Sequence, residues 1–317
     1  MSSLKTLAPI VLFVYNRLEH TQKTIDSLAK NPLAKDSVLY IFSDNAKDSA
    51  NQQKVDDVRR YIDSLPKSGY FKDVIIQKAK HNKGLANSII SGVSKVIEIH
   101  KKVIVLEDDL LCSVDFLNFI NDALNFYESN PKIGSISGYS PLQHMPTDYK
   151  DSIYVAPRSS SLGWATWIDR WSEVDWEVRD FESFRKDKNL RKRFDTCGND
   201  RFDRLRRQLE LGANSWSITF GYWQNKTNRY TIFPSQTRIQ HIGWDGSGVH
   251  NANAKELDTH IKQHPISYEF RDIEPNAKII AMMHKAYSGS IWGQIARYLR
   301  NNGFGWLEKM LRKMVGR

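Results

Sequence analysis

Apolar residues in the first third of the chain fall into unbroken runs, each followed by a stretch in which apolar positions recur every three or four residues. The first run is Ala8-Pro9-Ile10-Val11-Leu12-Phe13-Val14-Tyr15; after Asn16-Arg17 it gives way to a helical stretch from Thr21 to Lys30 with Ile25 and Leu28 on its apolar side. A run without polar alternation marks a strand covered on both faces, whereas the three-to-four spacing marks a helix with one buried face. The pattern repeats with Val38-Leu39-Tyr40-Ile41-Phe42, ending in Ser43-Asp44-Asn45 ahead of a helix around Val55 to Leu65. A third strand at Val74-Ile75-Ile76, a helix from Gly84 to His100 and a fourth strand from Val103 follow. Strands alternating with helices predict right-handed βαβ crossovers, hence an α/β fold with a Rossmann-like, mostly parallel sheet flanked by helices.

Beyond the fourth strand, Phe116 to Ser129 reads as a helix with Phe116, Leu117, Ile120, Leu124 and Tyr127 on one side. The alternation then changes. From Ile133 the chain offers short strand candidates, aromatics and glycine turns, up to Thr231-Ile232-Phe233-Pro234.

The fourth run, Val103-Ile104-Val105-Leu106, stops abruptly in Glu107-Asp108-Asp109. In open α/β sheets the ligand crevice lies beyond the carboxyl ends of the strands, so these acids would be held rigidly at its rim. Hard oxygen donors there suit Mg2+ or Mn2+ carrying a diphosphate. The alternative is structural: the same acids could cap the helix beginning near Ser113. Asn16-Arg17, Asp44 and His81 stand at the predicted ends of the other three strands, and a parallel sheet would bring all four clusters to one rim. Asp44 would accept from a base or ribose, and Arg17 and His81 would meet a phosphate or a base edge.

The 317 residues, 40% of them hydrophobic, suffice for one large α/β domain with additions. No stretch approaches the roughly 18 consecutive apolar residues that span a bilayer, and Met1-Ser2-Ser3-Leu4-Lys5 lacks a signal-peptide pattern, so a cytoplasmic protein is expected. The two cysteines, Cys112 and Cys197, have no metal-site spacing and are expected as reduced structural thiols. A net charge of +10 calls for an anionic partner. Beyond Ser290 six basic residues face the single acid Glu308, which places about half of the excess in the tail. With no nucleic-acid-reading module and the charge concentrated there, no nucleic-acid partner is expected.

Five blocks in fixed order carry a family resemblance: Phe13-Val14-Tyr15-Asn16-Arg17, Ser43-Asp44, His81-Asn82-Lys83-Gly84-Leu85-Ala86, Leu106-Glu107-Asp108-Asp109-Leu110 followed by Asp115-Phe116, and Leu162-Gly163-Trp164. Together they resemble glycosyltransferases of the GT-A fold, in particular N-acetylglucosaminyltransferase I-like enzymes and related bacterial surface-polysaccharide (family 2-like) sugar transferases. The resemblance spans residues 8 to 250. It implies that Asp109 is the metal ligand, for Mn2+ or Mg2+, and a catalytic residue, with Asp108 and Glu107 near ribose or sugar hydroxyls. It places Tyr15, Asn16, Arg17, Asp44, His81 and Lys83 at nucleotide-binding positions and Gly163 and Trp164 at the donor-sugar wall. A cation at the diphosphate would neutralise charge that grows as the glycosidic bond breaks.

An inverting transfer also needs a general base for the acceptor hydroxyl. The resembling proteins place an Asp before a Trp where this chain has Asn214-Ser215-Trp216, and an asparagine cannot serve as a base near neutral pH. Asp200, Asp203 and Glu210 are the candidate substitutes for Asn214; Glu210 is nearest in sequence, although its position suits a helix surface better. Trp164, Trp167 and Trp171 recur at helical spacing, with Trp176 after them. Flat indole faces suit sugar rings, while core packing is the expected role of Trp167 and Trp171.

The glycine-rich stretch from His241 to His250, with Trp244 and Ser247, is expected to fold as a lid over the donor. In the tail, Ile291, Trp292, Ile295, Tyr298 and Leu299 share one helical side, followed by Phe304, Trp306, Leu307, Met310, Leu311 and Met314. With basic residues opposite, these read as paired amphipathic helices lying on an anionic membrane at its inner face, or docked on the catalytic domain.

The expected organisation is therefore a glycosyltransferase domain over 1–255, divided into a nucleotide-sugar half (1–130) and an acceptor half (131–255). A linker (256–288) and a basic helical tail (289–317) complete it. The expected activity is metal-dependent, inverting transfer from a nucleotide-sugar, a UDP-sugar by resemblance, to a glycolipid or polysaccharide precursor such as those of lipopolysaccharide or capsule. The alternatives are a non-catalytic or impaired sugar-nucleotide binder and, more weakly, a sugar nucleotidyltransferase, which would want a GxGxR-type phosphate loop where Asn16-Arg17-Leu18-Glu19 stands.

Overall fold

The computed structural model describes residues 6–213, 215–243, 259–262, 264–301, 303–307 and 310. The nucleotide half follows the predicted alternation: β1 (Ile10–Val14), α1 (Leu18–Ala29), β2 (Val38–Ser43), α2 (Ser49–Ser64), β3 (Asp73–Lys78), α3 (Leu85–His100) and β4 (Lys102–Glu107). A short β5 (Leu110–Cys112) and α4 (Phe116–Tyr127) complete it. The second half contributes β6 (Ile133–Ser137), β7 (Ile153–Ala156), β8 (Trp164–Trp167), β9 (Tyr230–Pro234) and β10 (Ile239–His241). Between β8 and β9 lie five helices, α5 (Ile168–Trp171), α6 (Phe181–Lys186), α7 (Lys188–Phe194), α8 (Arg201–Glu210) and α9 (Trp216–Lys226). Helices α10 (Ala277–Ser288) and α11 (Ile291–Asn301) follow.

The architecture is α/β: an eight-stranded sheet of order β3-β2-β1-β4-β8-β6-β9-β7, flanked by helices, with β5 and β10 forming a separate antiparallel pair. Six of the eight strands run in one direction, and only β8 and β7 oppose them. Strands β1 and β4 are central, which is why their runs lack polar alternation: every residue of β1 is buried, and so are Val103, Ile104, Val105 and Leu106. One hydrophobic cluster packs α1 and α4 against one face, around Leu12, Ile25, Leu106 and Phe116. A second packs α3, α9, Trp164 and Trp171 against the other.

Two expectations are corrected here. The tryptophan segment is not a continuous helix: Trp164–Trp167 is the strand β8, hydrogen-bonded antiparallel to β4, and only Ile168–Trp171 turns helically. The strand-rich reading of the second half also missed the helical insertion from α6 to α9, which has its own core of Phe181, Phe184, Phe194, Phe202, Ile218 and Tyr222. Helix α9 is buried on most sides, so it carries no one-sided apolar stripe to betray it.

The segment expected as a linker is docked on the domain. Tyr268, Phe270 and Ile273 pack against the main core, and Ile279 and Met283 of α10 are fully buried beside Tyr154, Cys197 and Phe233. Both cysteines are free and buried, as expected of structural thiols. Among the described residues no helix is long and apolar enough to cross a membrane.

Candidate functional site

The parallel order β3-β2-β1-β4 brings the carboxyl ends of four strands to one rim, as the sequence implied. Asp108 and Asp109 occupy the tight turn between β4 and β5. This turn is pinned to α1 by Thr24, whose Oγ1 donates to the Asp108 carbonyl (2.9 Å) and accepts from the Leu110 amide (3.2 Å). None of the three acids caps α4, which starts after Asp115, so the capping alternative fails. Asp115 is itself engaged by the Ser113 hydroxyl (2.6 Å) and the Ile266 amide (2.9 Å).

Arg17 lies at the entrance of α1 and bridges the acids: one Nη2 atom bonds Asp108 Oδ1 and sits 2.8 Å from Asp109 Oδ2. The Tyr15 amide adds a long bond of 3.4 Å to Asp108. Arg17, expected to meet a phosphate, thus spends its charge on the acids. The residue that sequence reasoning missed is His241. Strand β10 pairs with β5 in the register His241↔Leu110, and the imidazole Nε2 comes within 3.3 Å of Asp109 Oδ2. The only signal for it was a histidine closing an apolar alternation just before the glycine-rich stretch.

The rest of β10's support is equally invisible in the sequence. Arg238, 1% exposed, sits 3.1 Å from Asp115, and its carbonyl accepts from the Ser113 amide at 2.9 Å. The Ile242 amide then donates to the Asp109 carbonyl (2.9 Å). At Gly243 a Cβ would stand only 2.5 Å from Asp109 Oδ2, so backbone passes where no side chain fits.

These neighbours set the acids' ionisation. Burial pushes Asp109 upward, but the His241 hydrogen bond and charge, joined by Arg17, outweigh it and hold the carboxyl at about 2. Glu107 moves the other way: burial, together with the charges of Asp109 and Asp108, lifts it to about 8. The end of β4 therefore carries acids of opposite character within three residues.

A divalent cation can be tested against this donor set. Among the described residues no group of three or more His, Cys, Asp or Glu side chains is arranged to hold a metal. Asp109 with His241 gives one oxygen and one nitrogen donor, a pair that suits Mn2+ when a bound diphosphate and water supply the remaining positions. The residues fit a substrate-bridged ion and not a closed protein cage.

Asp44 ends β2 and gathers three backbone donors: the amides of Asn45 (2.8 Å), Lys83 (2.9 Å) and Gly84 (3.0 Å). It ties the β2 end to the loop that opens α3, where Gly84 adopts φ +75°. Beside it lies a cavity of about 230 Å³ bordered by Phe42, Asp44, Gln77, Lys83 and Lys95. Asn16 bonds Asn51 (2.7 Å), the Tyr15 hydroxyl accepts from the Lys47 amide (3.1 Å), and His81 is exposed on the same loop as Lys83.

Trp164 is displaced from its expected role at a sugar wall. It is 1% exposed and stacks on Trp216 and Trp171 at 4.8 and 5.7 Å, so its indole fills the core. Trp167 and Trp171 are buried as expected. Gly163 has φ +57°, and a Cβ there would strike Ile239 at 2.5 Å, so it serves the approach of β10 to β8.

Glu210 is held by Arg185 (3.3 Å) and Arg206 (3.0 Å) on the helical insertion. Asp200 is paired with Arg158 (2.7 Å) and Asp203 with Arg206 (3.0 Å). Asn214, Trp244 and Ser247 lie outside the described residues.

No protein-family model and no curated protein matches the chain. Solved structures of Staphylococcus aureus TarS do match at 13% identity: one at TM-score 0.36 over 54% of this chain and 30% of TarS. The other, TarS 1-349, matches at TM-score 0.33 over 50% of this chain and 47% of that one. The chain thus spans less than half the length of either neighbour.

Proposed function

We propose that this chain is a glycosyltransferase that takes a sugar from a nucleotide-sugar donor, a UDP-sugar by motif resemblance, to a glycan or glycolipid acceptor. The observation that carries the reading is the junction of Asp109, Arg17 and His241 at the rim of four parallel strands, a rim that also carries Asp44 and its cavity at the end of β2. A nucleoside diphosphate needs a recess for base and ribose and mixed charge for the diphosphate at one strand rim.

Asp109 and His241 would hold Mn2+ or Mg2+, and that ion, when bound, would neutralise charge on the departing diphosphate. Arg17 would turn from the acids to the phosphates, keeping a cation there throughout. Lys83, on the loop fixed by Asp44, faces the recess and would meet the donor from the other side. Asp108, buried and bonded to Arg17, would position that arginine beside Asp109, to which it is also bonded.

The test is calorimetry and thermal shift with UDP-, GDP- and dTDP-sugars, with and without Mn2+, followed by donor hydrolysis. Binding of one nucleotide class that strengthens with Mn2+ and is lost in Asp109→Ala supports the reading. Unchanged binding and turnover by a folded Asp109→Ala protein in chelator would sink it.

A second reading, a sugar-nucleotide binder without transferase activity, is favoured by one observation. The three acids that would replace Asn214 are all tied up: Asp200 by Arg158, Asp203 by Arg206, Glu210 by two arginines. At Asp200 burial pushes the carboxyl upward, but Arg158 outweighs it and holds the group below its ordinary value, which weakens it as a base. Tight donor binding with no hydrolysis and no transfer to glycolipid extracts would select this reading.

A further inference from the structure

Strands β2 and β3 part company at the rim, and an arginine of α2 takes up the carbonyls left over where they separate. The last paired residues are Ser43 and Lys78, after which the Ala79 amide donates once more to the Ser43 carbonyl (2.9 Å). Beyond that rung Arg59 takes over: its Nη2 donates to the carbonyls of Asp44 (3.3 Å) and Ala79 (2.8 Å), and its Nε reaches the Ser43 hydroxyl (3.3 Å). The helix beneath is held by Val55, Val58 and Ile62, which are buried, so the guanidinium projects from a fixed base. Two asparagines continue the staple: Asn45 Nδ2 donates to the Lys80 carbonyl (2.8 Å) and Asn82 Nδ2 to the Asn45 carbonyl (2.6 Å). With the three amides that the Asp44 carboxylate gathers, these bonds join the loops after β2 and β3 into one piece.

We propose, resting on the nucleotide-sugar reading above, that Arg59 is a positioning residue for the donor and that it acts through Lys83. The Lys83 amide is held by both oxygens of Asp44 (2.9 and 3.2 Å), and its carbonyl accepts from Asn87 Nδ2 (3.1 Å). The backbone of Lys83 is thus fixed on both sides, whereas its ammonium borders the cavity and has no acceptor among the described residues. An ammonium only donates, so the group it takes is an anionic oxygen of the donor. Asp44, its carboxylate engaged by backbone amides and its carbonyl by Arg59, is the link between the two residues. Removing the guanidinium leaves two carbonyls of diverging strands without their donor. The loop then gains freedom, Lys83 loses its fixed origin, and the cost of ordering it falls on donor binding.

The experiment is a double-mutant cycle on the full chain, read by calorimetry with UDP, GDP and dTDP in turn, Mn2+ present, and by melting temperature. Arg59→Met and Lys83→Ala should each weaken binding of the preferred nucleotide by about tenfold. On the Lys83→Ala background Arg59→Met should add less than about a twofold loss, although it lowers the melting temperature equally on both backgrounds. Arg59→Lys, which can still donate to a carbonyl, should recover part of the affinity. Should Arg59→Met melt below the titration temperature, Arg59→Lys takes its place in the cycle, with a smaller loss and the same coupling expected. Losses that multiply on the two backgrounds would show that Arg59 acts without Lys83 and overturn the proposal, as would parent-like binding by folded Arg59→Met. A parent that binds none of the three nucleotides overturns the nucleotide-sugar reading together with this one, whereas a binding parent without the coupling overturns this one alone.

Discussion

The imidazole of His241 stands 3.3 Å from the carboxylate of Asp109, joining the last strand of the sheet region to the acid end of β4. That contact depends on the β5–β10 pair, since nothing local in sequence relates the two residues. It makes the turn after β4 a two-donor site whose second member can be removed without touching the acids.

His241→Ala should therefore weaken the Mn2+-dependent part of nucleotide-sugar binding by about tenfold to a hundredfold, leaving metal-free nucleotide binding nearly unchanged. Titration of the nucleotide-sugar in Mn2+ and in chelator measures both. Equal loss under the two conditions would assign His241 to the nucleotide itself.

Gly243→Ala is expected to disturb the same site from the backbone side. The new methyl would fall 2.5 Å from Asp109 Oδ2 and 3.0 Å from the His241 ring, so one of them must move. Donor turnover should fall by about tenfold or more, because small displacements of positioned groups are costly, while circular dichroism stays that of the parent. Full turnover would mean that the Gly243 backbone does not approach Asp109 in solution.

Trp164 offers a test of core against sugar wall. Trp164→Ala should cost about 3–5 kcal/mol of stability through the cavity it leaves. Trp164→Phe should lower the melting temperature moderately with donor KM unchanged, because the ring is buried and packs on Trp216, Trp171 and Phe220. A raised KM at normal stability would return Trp164 to the donor wall.

Asp195 should give the helical insertion a pH signature. Burial raises its carboxyl from 3.8 to about 6, although the Phe202 amide donates to it and favours the charged form. A folded value above the unfolded one stabilises below pH 3.8, and that contribution is lost as pH rises through about 6. Asp195→Asn, which cannot ionise, should gain melting temperature relative to the parent between pH 4 and pH 7. A constant difference across that range would show that Asp195 titrates normally.

The strand-helix alternation of the first half was legible because it is written locally. Strands buried on both faces must be apolar through their core, as β1 and Val103 to Leu106 of β4 are, and helices such as α1, α3 and α4 must repeat their apolar positions every turn. From that alternation alone the acids of Glu107-Asp108-Asp109, Arg17 and Asp44 could be placed on one rim. The helical insertion was not legible, because α9 is buried nearly all round and the short α6 and α7 hold too few turns to show a period.

What the sequence determined by itself is thus the parallel half of the sheet and the position of its acid end. Only the tertiary structure decided that Trp164 lies in a strand and in the core, that His241 joins Asp109, and that α11 bonds the body through Gln294 and Arg297 and turns Ile291 and Ile295 outward. The physical reason is common to all three. Local pattern records which residues prefer burial, but strand register, ring stacking and the partner of a polar helix face are set by segments far away in the chain. A histidine, a tryptophan or an amphipathic stripe acquires its role only when those segments arrive beside it.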